Sequence, residues 1–465
     1  MVFALAVVAW LALGLPTGWV LARGGRATLG AAALPLAGGL ALLLPLIASA
    51  WLGGSLTGWA ARAGVASVGL AFASWGALRG VGQQTPWPSP SRLAWCAALV
   101  PLAAGAGLLG VGSVLAGGWP GYGWDGLAIW LLRAKVLALS PMLPESLFRE
   151  PLLTDGHWDY PLQLPALLAW LARAGGLEVR EYALALAAVL APLPFAIALA
   201  LGRVLGPPGA AALAIAPLAV PTLLPIHFEG YADPLLVCVA TLGIVAALAA
   251  ALQRDAALAL LAGLALAVAV SLKNEGLLWW AAGVAGSGGV AWVLRTPRRT
   301  ALVMLLRIGL PGLLLFALWQ ATCARLGVSS DLAGAQRWDL ALSRSGFVSG
   351  LVLRLLLAPE NAPWLVGCLV GLMAWAGGSV GERLRRVAAL LSPLAVYLGG
   401  LSLVYLTTPY DVAWHVSTSL PRTLLGVLPV LFGVALLAPL LRRNAEAQLR
   451  ATPTGGAGSD ARGRR

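Results

Sequence analysis

Five short stretches of this chain carry side chains suited to acid–base or anion chemistry. In GYGWDGLAIWLLRAKVL, residues 121–137, Asp125 follows a tryptophan and is trailed by Arg133 and Lys135. A carboxylate there can take a proton from a hydroxyl. On a helix at about 1.5 Å per residue the two cations stand roughly 12 to 15 Å further along, too far to pair with it and placed to reach a phosphate at headgroup level. The plainer role for Asp125 is a helix N-cap.

TDGHWDYPLQLP, 154–165, crowds His157, Asp159 and Tyr160. An imidazole two residues from a carboxylate can orient, bind a cation or move protons near neutral pH, unless the stretch is simply a solvated capped loop. PIHFEGYADPLL, 225–236, carries His227, Glu229, Tyr231 and Asp233. Asp-Pro has the look of a capped helix start, a role compatible with a carboxylate that faces a cavity. SLKNEGLLWW, 271–280, sets Lys273 and Glu275 between two apolar runs with almost no loop. Charges so close to a membrane are costly without a partner or ligand. Finally, YLTTPYDVAWHVSTSLPRTLLGVLP, 405–429, holds Asp411, His415 and Arg422. A guanidinium suits a phosphate through its bidentate fork, and pairing with Asp411 is its simpler alternative.

What positions these groups follows from composition. Of 465 residues 60% are hydrophobic and 11% charged, with a mean hydropathy of +0.86. That excludes the soluble globular class and predicts an all-α, polytopic integral membrane protein. The first 22 residues lack a basic n-region and a small-residue cleavage site, so they read as a retained span. Cys96, Cys238, Cys323 and Cys368 are far apart and show no metal-ligand or disulfide spacing, so they read as buried thiols.

At about 20 apolar residues per crossing, runs near 1–22, 30–52, 58–78, 93–117, 182–202, 209–227, 231–252, 256–272, 275–294, 303–322, 351–376, 387–406 and 422–441 predict thirteen spans. With the N-terminus outside, Arg23, Arg26, Arg79, Arg92, Arg203, Arg254, Arg295, Arg298, Arg299, Arg383, Arg385, Arg386 and the tail arginines fall on one side. That side is the cytoplasm by the positive-inside rule. The short apolar segment 160–176 then becomes an interfacial or re-entrant helix within a long external loop, 118–181. All acids except Asp255, Glu382, Glu446 and Asp460 lie outside, together with the three histidines and with Lys135 and Lys273, the only lysines among 31 basic residues. Polar chemistry is expected at the external face. No internal repeat is visible, and 442–465 reads as a disordered basic cytoplasmic tail.

Taken together, a WD-bearing external loop after a span, HWDYP before a short helix, ADPLL opening a later span and the K-x-E-G turn resemble the GT-C superfamily of polyprenyl-phosphate-dependent glycosyltransferases. The likeness is to bacterial relatives of the protein O-mannosyltransferases and lipid A aminoarabinose transferases, over roughly 93–441. The resemblance implies a helical bundle whose first large external loop packs interfacial helices over a cavity open to the outer leaflet, with 1–92 as extra N-terminal spans. It makes Asp125 the essential acid, assisted by Asp159 and Asp233. It implies transfer of a sugar from a polyprenyl-phosphate donor to a hydroxyl on a lipid, glycan or protein, at the outer face of a bacterial inner membrane, without nucleic acid.

For such a reaction Asp125 is the expected general base, with inversion at the anomeric carbon. Lys135, Lys273 and Arg422 are the expected phosphate cations, and His157, Tyr160, Glu229, Glu275 and His415 complete the expected substrate-binding set. Two departures stand out: three spans precede the one that usually comes first, and Asp125 is followed by Gly126 rather than by a second acid. A divalent cation bridged by Asp125, Asp159 or Glu229 stays open, because hard cations favour clustered carboxylates. The alternative function is a transporter or flippase of a lipid-linked glycan, which would hold the same phosphate without making bonds.

Overall fold

The computed structural model describes the chain except residues 24–25, 53–57, 80–91, 119–120, 141–142, 144–147, 149–156, 221–225, 331–334 and 452–465. Regular structure among the described residues is helical throughout. In chain order the helices are α1 (Val2–Leu13), α2 (Leu15–Ala22), α3 (Ala27–Leu52), α4 (Trp59–Leu78), α5 (Arg92–Gly117), α6 (Leu132–Leu139), α7 (Gln163–Gly175), α8 (Tyr182–Leu190) and α9 (Pro192–Ala219). They continue as α10 (Asp233–Gln253), α11 (Ala256–Leu272), α12 (Glu275–Val293), α13 (Arg298–Leu326), α14 (Ala341–Leu356), α15 (Ala362–Trp375), α16 (Val380–Thr407), α17 (Val412–Thr423) and α18 (Val427–Ala451).

Among the described residues eight helices are long and apolar enough to cross a membrane, or nine if α1 and α2, bent by 45°, count as one span. The protein is thus a helical membrane protein, and the expected count of thirteen spans is not confirmed among the described residues. The differences have local causes. The runs 182–202 and 209–227 fall in one stretch, Val179–Ala219, counted once although its backbone breaks from helix at Gly206 (φ 73°) before two prolines. The run 351–376 is split into α14 and α15 by residues 357–361, and α11 has only 17 residues.

The hairpin of α10 and α11 forms the core. Leu252 and every residue of α10 before it are buried, as is all of α11. Its turn end carries Arg254 in a left-handed conformation and Asp255, which caps α11 by accepting from the Ala257 and Leu258 amides at 2.9 and 3.1 Å. Asp255 also pairs with buried Arg26 at 3.1 Å, and Asn444 donates to the Leu252 carbonyl at 2.6 Å. The opposite end of the hairpin carries Asp233 and Lys273, so the two charged ends of the bundle lie a helix length apart.

Helices α3, α9, α12, α13 and α18 surround the hairpin. The N-terminal helices are built into this body, with α3 against α9 and α11. With 13 residues α7 is too short to cross a bilayer. It does not lie on the bundle's outside but is buried along most of its length against α1, α3 and α6, since eight of its 13 residues are leucine or alanine. At the C-terminus α18 stays helical to Ala451, with Arg442 paired to Glu446 at 2.8 Å, so the first ten residues of the expected tail are ordered helix. The rest of that tail lies outside the described residues.

Candidate functional site

Five of the residues singled out in the sequence meet at the open end of the α10–α11 hairpin. Lys273 ends α11, and its Nζ lies 3.0 Å from Asp233 at the start of α10 and 3.0 Å from Glu275 at the start of α12. Arg422, in the last turn of α17, reaches Asp125 at 2.6 Å and stacks over the Tyr231 ring at 4.6 Å. Three carboxylates thus face two cations. Lys273 is nearly sealed from solvent at 6% side-chain exposure, whereas Asp125 keeps 28%. Burial disfavours the Lys273 ammonium, but Asp233 and Glu275 more than reverse this and hold it above the ordinary lysine range. Burial raises the Tyr231 phenol, with Arg422 pulling the other way.

Asp125 is placed by backbone rather than by capping: it precedes a wide, π-helical turn, Gly126–Leu131, and accepts no cap hydrogen bond. The Gly123 amide donates to the Glu229 carbonyl at 3.0 Å, which docks the 226–231 loop on this turn. A Cβ at Gly126 would run into that same carbonyl. The departure noted in the sequence therefore has a steric reason, since no acid fits after Asp125. Asp233 is the first helical residue of α10, with Ala232 at the cap.

Asp233, Lys273, Glu275 and Arg422 line a narrow recess of about 10 Å³, room for little more than one water, floored by Trp279 and Tyr397. Those two rings stack at 3.7 Å, and the Tyr397 hydroxyl donates to the Thr423 carbonyl at 2.7 Å, bracing the end of α17. Asp233 Oδ2 and Glu275 Oε2 are buried and have no hydrogen-bond partner among the described residues. They are acceptors available to hydroxyl donors.

A second constellation lies beside the first and is joined to it through one side chain. Asn274, between Lys273 and Glu275, donates to Asp159 Oδ2 at 2.8 Å. The Asp159 carbonyl accepts from Trp319 at 2.7 Å. Arg133 is fully buried, donates to the Tyr160 and His157 carbonyls at 3.0 and 2.6 Å, and lies over Trp158 at 4.7 Å. The sequence placed Arg133 near headgroups. It is instead the post around which 157–160 folds, and burial draws its guanidinium down to about 10 despite the Asp159 charge. Tyr160 is stacked between Trp130 and His157, at 5.6 and 5.1 Å, so protein rings occupy both its faces.

The remaining residues are distributed more widely. Glu229 is half-buried on the loop docked at Gly126. His415 contacts Thr408 Oγ1 at 2.7 Å and packs against Tyr405, whose hydroxyl reaches Thr423 at 3.2 Å, one layer from the recess. Asp411 caps α17 through the Trp414 amide at 2.8 Å and is not the partner of Arg422. Lys135 is exposed on α6, and His227 is buried in the 226–231 loop. Cys238, Cys323 and Cys368 are buried free thiols. No three His, Cys, Asp or Glu side chains among the described residues gather as metal ligands. Sequence reasoning missed Asn274 and Trp319. Asn274 was signalled by its place inside the K-x-E-G turn, Trp319 by nothing local. No family model, curated protein or solved structure matches this chain.

Proposed function

We propose that the chain is a membrane glycosyltransferase that moves a sugar from a polyprenyl-phosphate donor to an acceptor hydroxyl, with the chemistry at the Asp125–Arg422 end of the bundle. One observation carries this reading: the Arg422–Asp125 pair and the Asp233–Lys273–Glu275 triad, drawn from four separate stretches, sit side by side at the edge of the membrane spans, with the Asp233 charge acting on Arg422. Ionisable groups at such a depth are functional by default.

In this reading Arg422 has two anionic partners in turn. The donor phosphate takes the guanidinium fork, which releases Asp125 from its ion pair. Asp125 then accepts the proton of the acceptor hydroxyl as its oxygen attacks the anomeric carbon. The bond from that carbon to the phosphate oxygen breaks, the configuration inverts, and the leaving phosphate is held by Arg422 and Lys273. Asp233 Oδ2 and Glu275 Oε2 accept from sugar hydroxyls. The site has no surplus positive charge, so the phosphate must displace a carboxylate to bind, which ties donor entry to activation of the base.

The test is sugar transfer from a radiolabelled polyprenyl-phosphate donor in membranes holding wild-type or Asp125→Asn protein. Loss of transfer by the variant, with insertion and melting preserved, supports the reading. Full activity overturns it, and translocation of the donor without transfer by the wild type identifies a flippase instead.

A further inference from the structure

At the opposite end of the bundle from Lys273, α2 and α4 flank a groove of about 370 Å³, open on its outer side. Its walls are apolar, with Leu15, Trp19 and Val20 on one helix and Val68, Phe72 and Trp75 on the other. Trp19 and Phe72 are 60% and 69% exposed. Arg23 caps the C-terminus of α2, next to two of the groove's tryptophans. Its guanidinium is clamped between the rings of Trp19 and Trp75, at 4.1 and 4.0 Å.

The clamp has a chemical consequence. Ring faces engage the two faces of a guanidinium and leave its five N–H donors, which lie in the plane, directed outward. Among the described residues Arg23 has neither an ion pair nor a side-chain hydrogen bond to spend them on, and its charge is exposed. Arg79 caps the end of α4, one turn beyond Trp75, and adds a second exposed cation at this level. The level is that of the Arg26–Asp255 pair, where the spans end. From Arg23 to Leu15 the groove runs roughly 12 Å along α2, enough for the upper part of an acyl chain. An apolar trough capped by a preorganised phosphate fork matches an amphiphile of one charge type.

We propose that Arg23 and the α2–α4 groove bind one phospholipid with an anionic headgroup, its phosphate on the Arg23 fork and one acyl chain between Trp19 and Phe72. This site is independent of the transferase reading and lies at the other membrane face. The second cation gives anionic headgroups an advantage over zwitterionic ones, at about 1 kcal/mol, or roughly fivefold, per basic side chain.

The experiment is native mass spectrometry of the full chain in detergent, titrated with phosphatidylglycerol, phosphatidylcholine of the same acyl chains, or glycerol phosphate. One tight phosphatidylglycerol adduct is expected, weakened roughly fivefold or more by Arg23→Gln and removed by Ala71→Trp, which fills the groove from its half-exposed wall. Both changes are at surface positions, and unchanged melting in detergent verifies the fold. Equal affinity for phosphatidylcholine, an undiminished adduct in Arg23→Gln, or displacement of the lipid by glycerol phosphate alone overturns the proposal.

Discussion

Arg422 and Asp125 meet at 2.6 Å, joining the last turn of α17 to the residue that opens the Gly126–Leu131 turn. The bridge closes the site, because no other ion pair among the described residues ties the 121–139 segment to the C-terminal helices. Removing either partner leaves the other half-buried charge without its mate. In the transferase reading each of Asp125→Asn and Arg422→Ala lowers the transfer rate by about a hundredfold or more. The double variant is expected to be little worse than the poorer single, since both act on one step. Additive losses, measured as initial rates with saturating donor, would separate the two residues into independent roles.

Lys273 carries the heaviest structural burden of the network. Lys273→Met leaves Asp233 and Glu275 facing each other at a buried position, and breaking such a pair costs roughly 3–5 kcal/mol. Its folded-state pKa is raised, so its stabilisation is complete below the free-lysine value of about 10.4 and is lost only as pH climbs through the higher folded value. Melting in detergent should therefore show no Lys273-dependent change from neutrality to about pH 10, and a fall beyond that. A difference between wild type and Lys273→Arg that opened below pH 9 would contradict this assignment.

Gly126 is a packing position. A methyl group there meets the Glu229 carbonyl, so Gly126→Ala must push the 226–231 loop off the helix start. Overpacking of this kind costs about 1–3 kcal/mol. Because the displaced loop also carries Tyr231, which Arg422 stacks on, activity should fall more steeply than melting temperature. Parallel melting and transfer measurements check the order of the two effects.

Asn274→Ala removes a hydrogen bond to the buried Asp159 carboxylate and should destabilise by about 1.5–3 kcal/mol, the worth of a hydrogen bond to a charged group. Asn274→Asp should be worse, since it sets a second carboxylate against the first. Thermal melts of the two variants give the ranking directly.

The chemistry-bearing stretches were legible because charge is rare in this chain, so Asp125, Asp233, Lys273 and Arg422 stand out against apolar neighbours. Their partners were not. The Arg422–Asp125 pair spans most of the sequence, and nothing local distinguishes it from pairing with Asp411, which caps its own helix instead. Arg133 was misplaced for a related reason: helical spacing shows it is far from Asp125, but not that the 157–160 backbone wraps round it. The number of spans is harder to read from hydropathy: the backbone leaves the helix at Gly206 within one long apolar stretch, and the 17 residues of α11 need not match a bilayer when protein covers every one. Arg26 and Asp255 meet at one end of the hairpin, with Asp233 and Lys273 at the other.

The closed α10–α11 hairpin also bears on how the chain is made. Asp233 and Lys273 bracket that hairpin and bond to each other. As the two helices leave the ribosome and enter lipid, their charges can neutralise one another before any later helix has been synthesised. A lone carboxylate or ammonium opposes insertion by about 2.5–3.5 kcal/mol at a helix centre, and by less at helix ends such as these. The same contact that later sits in the site thus begins as a self-contained ticket into the bilayer, and Glu275, Arg422 and the surrounding helices assemble on a hairpin already in place.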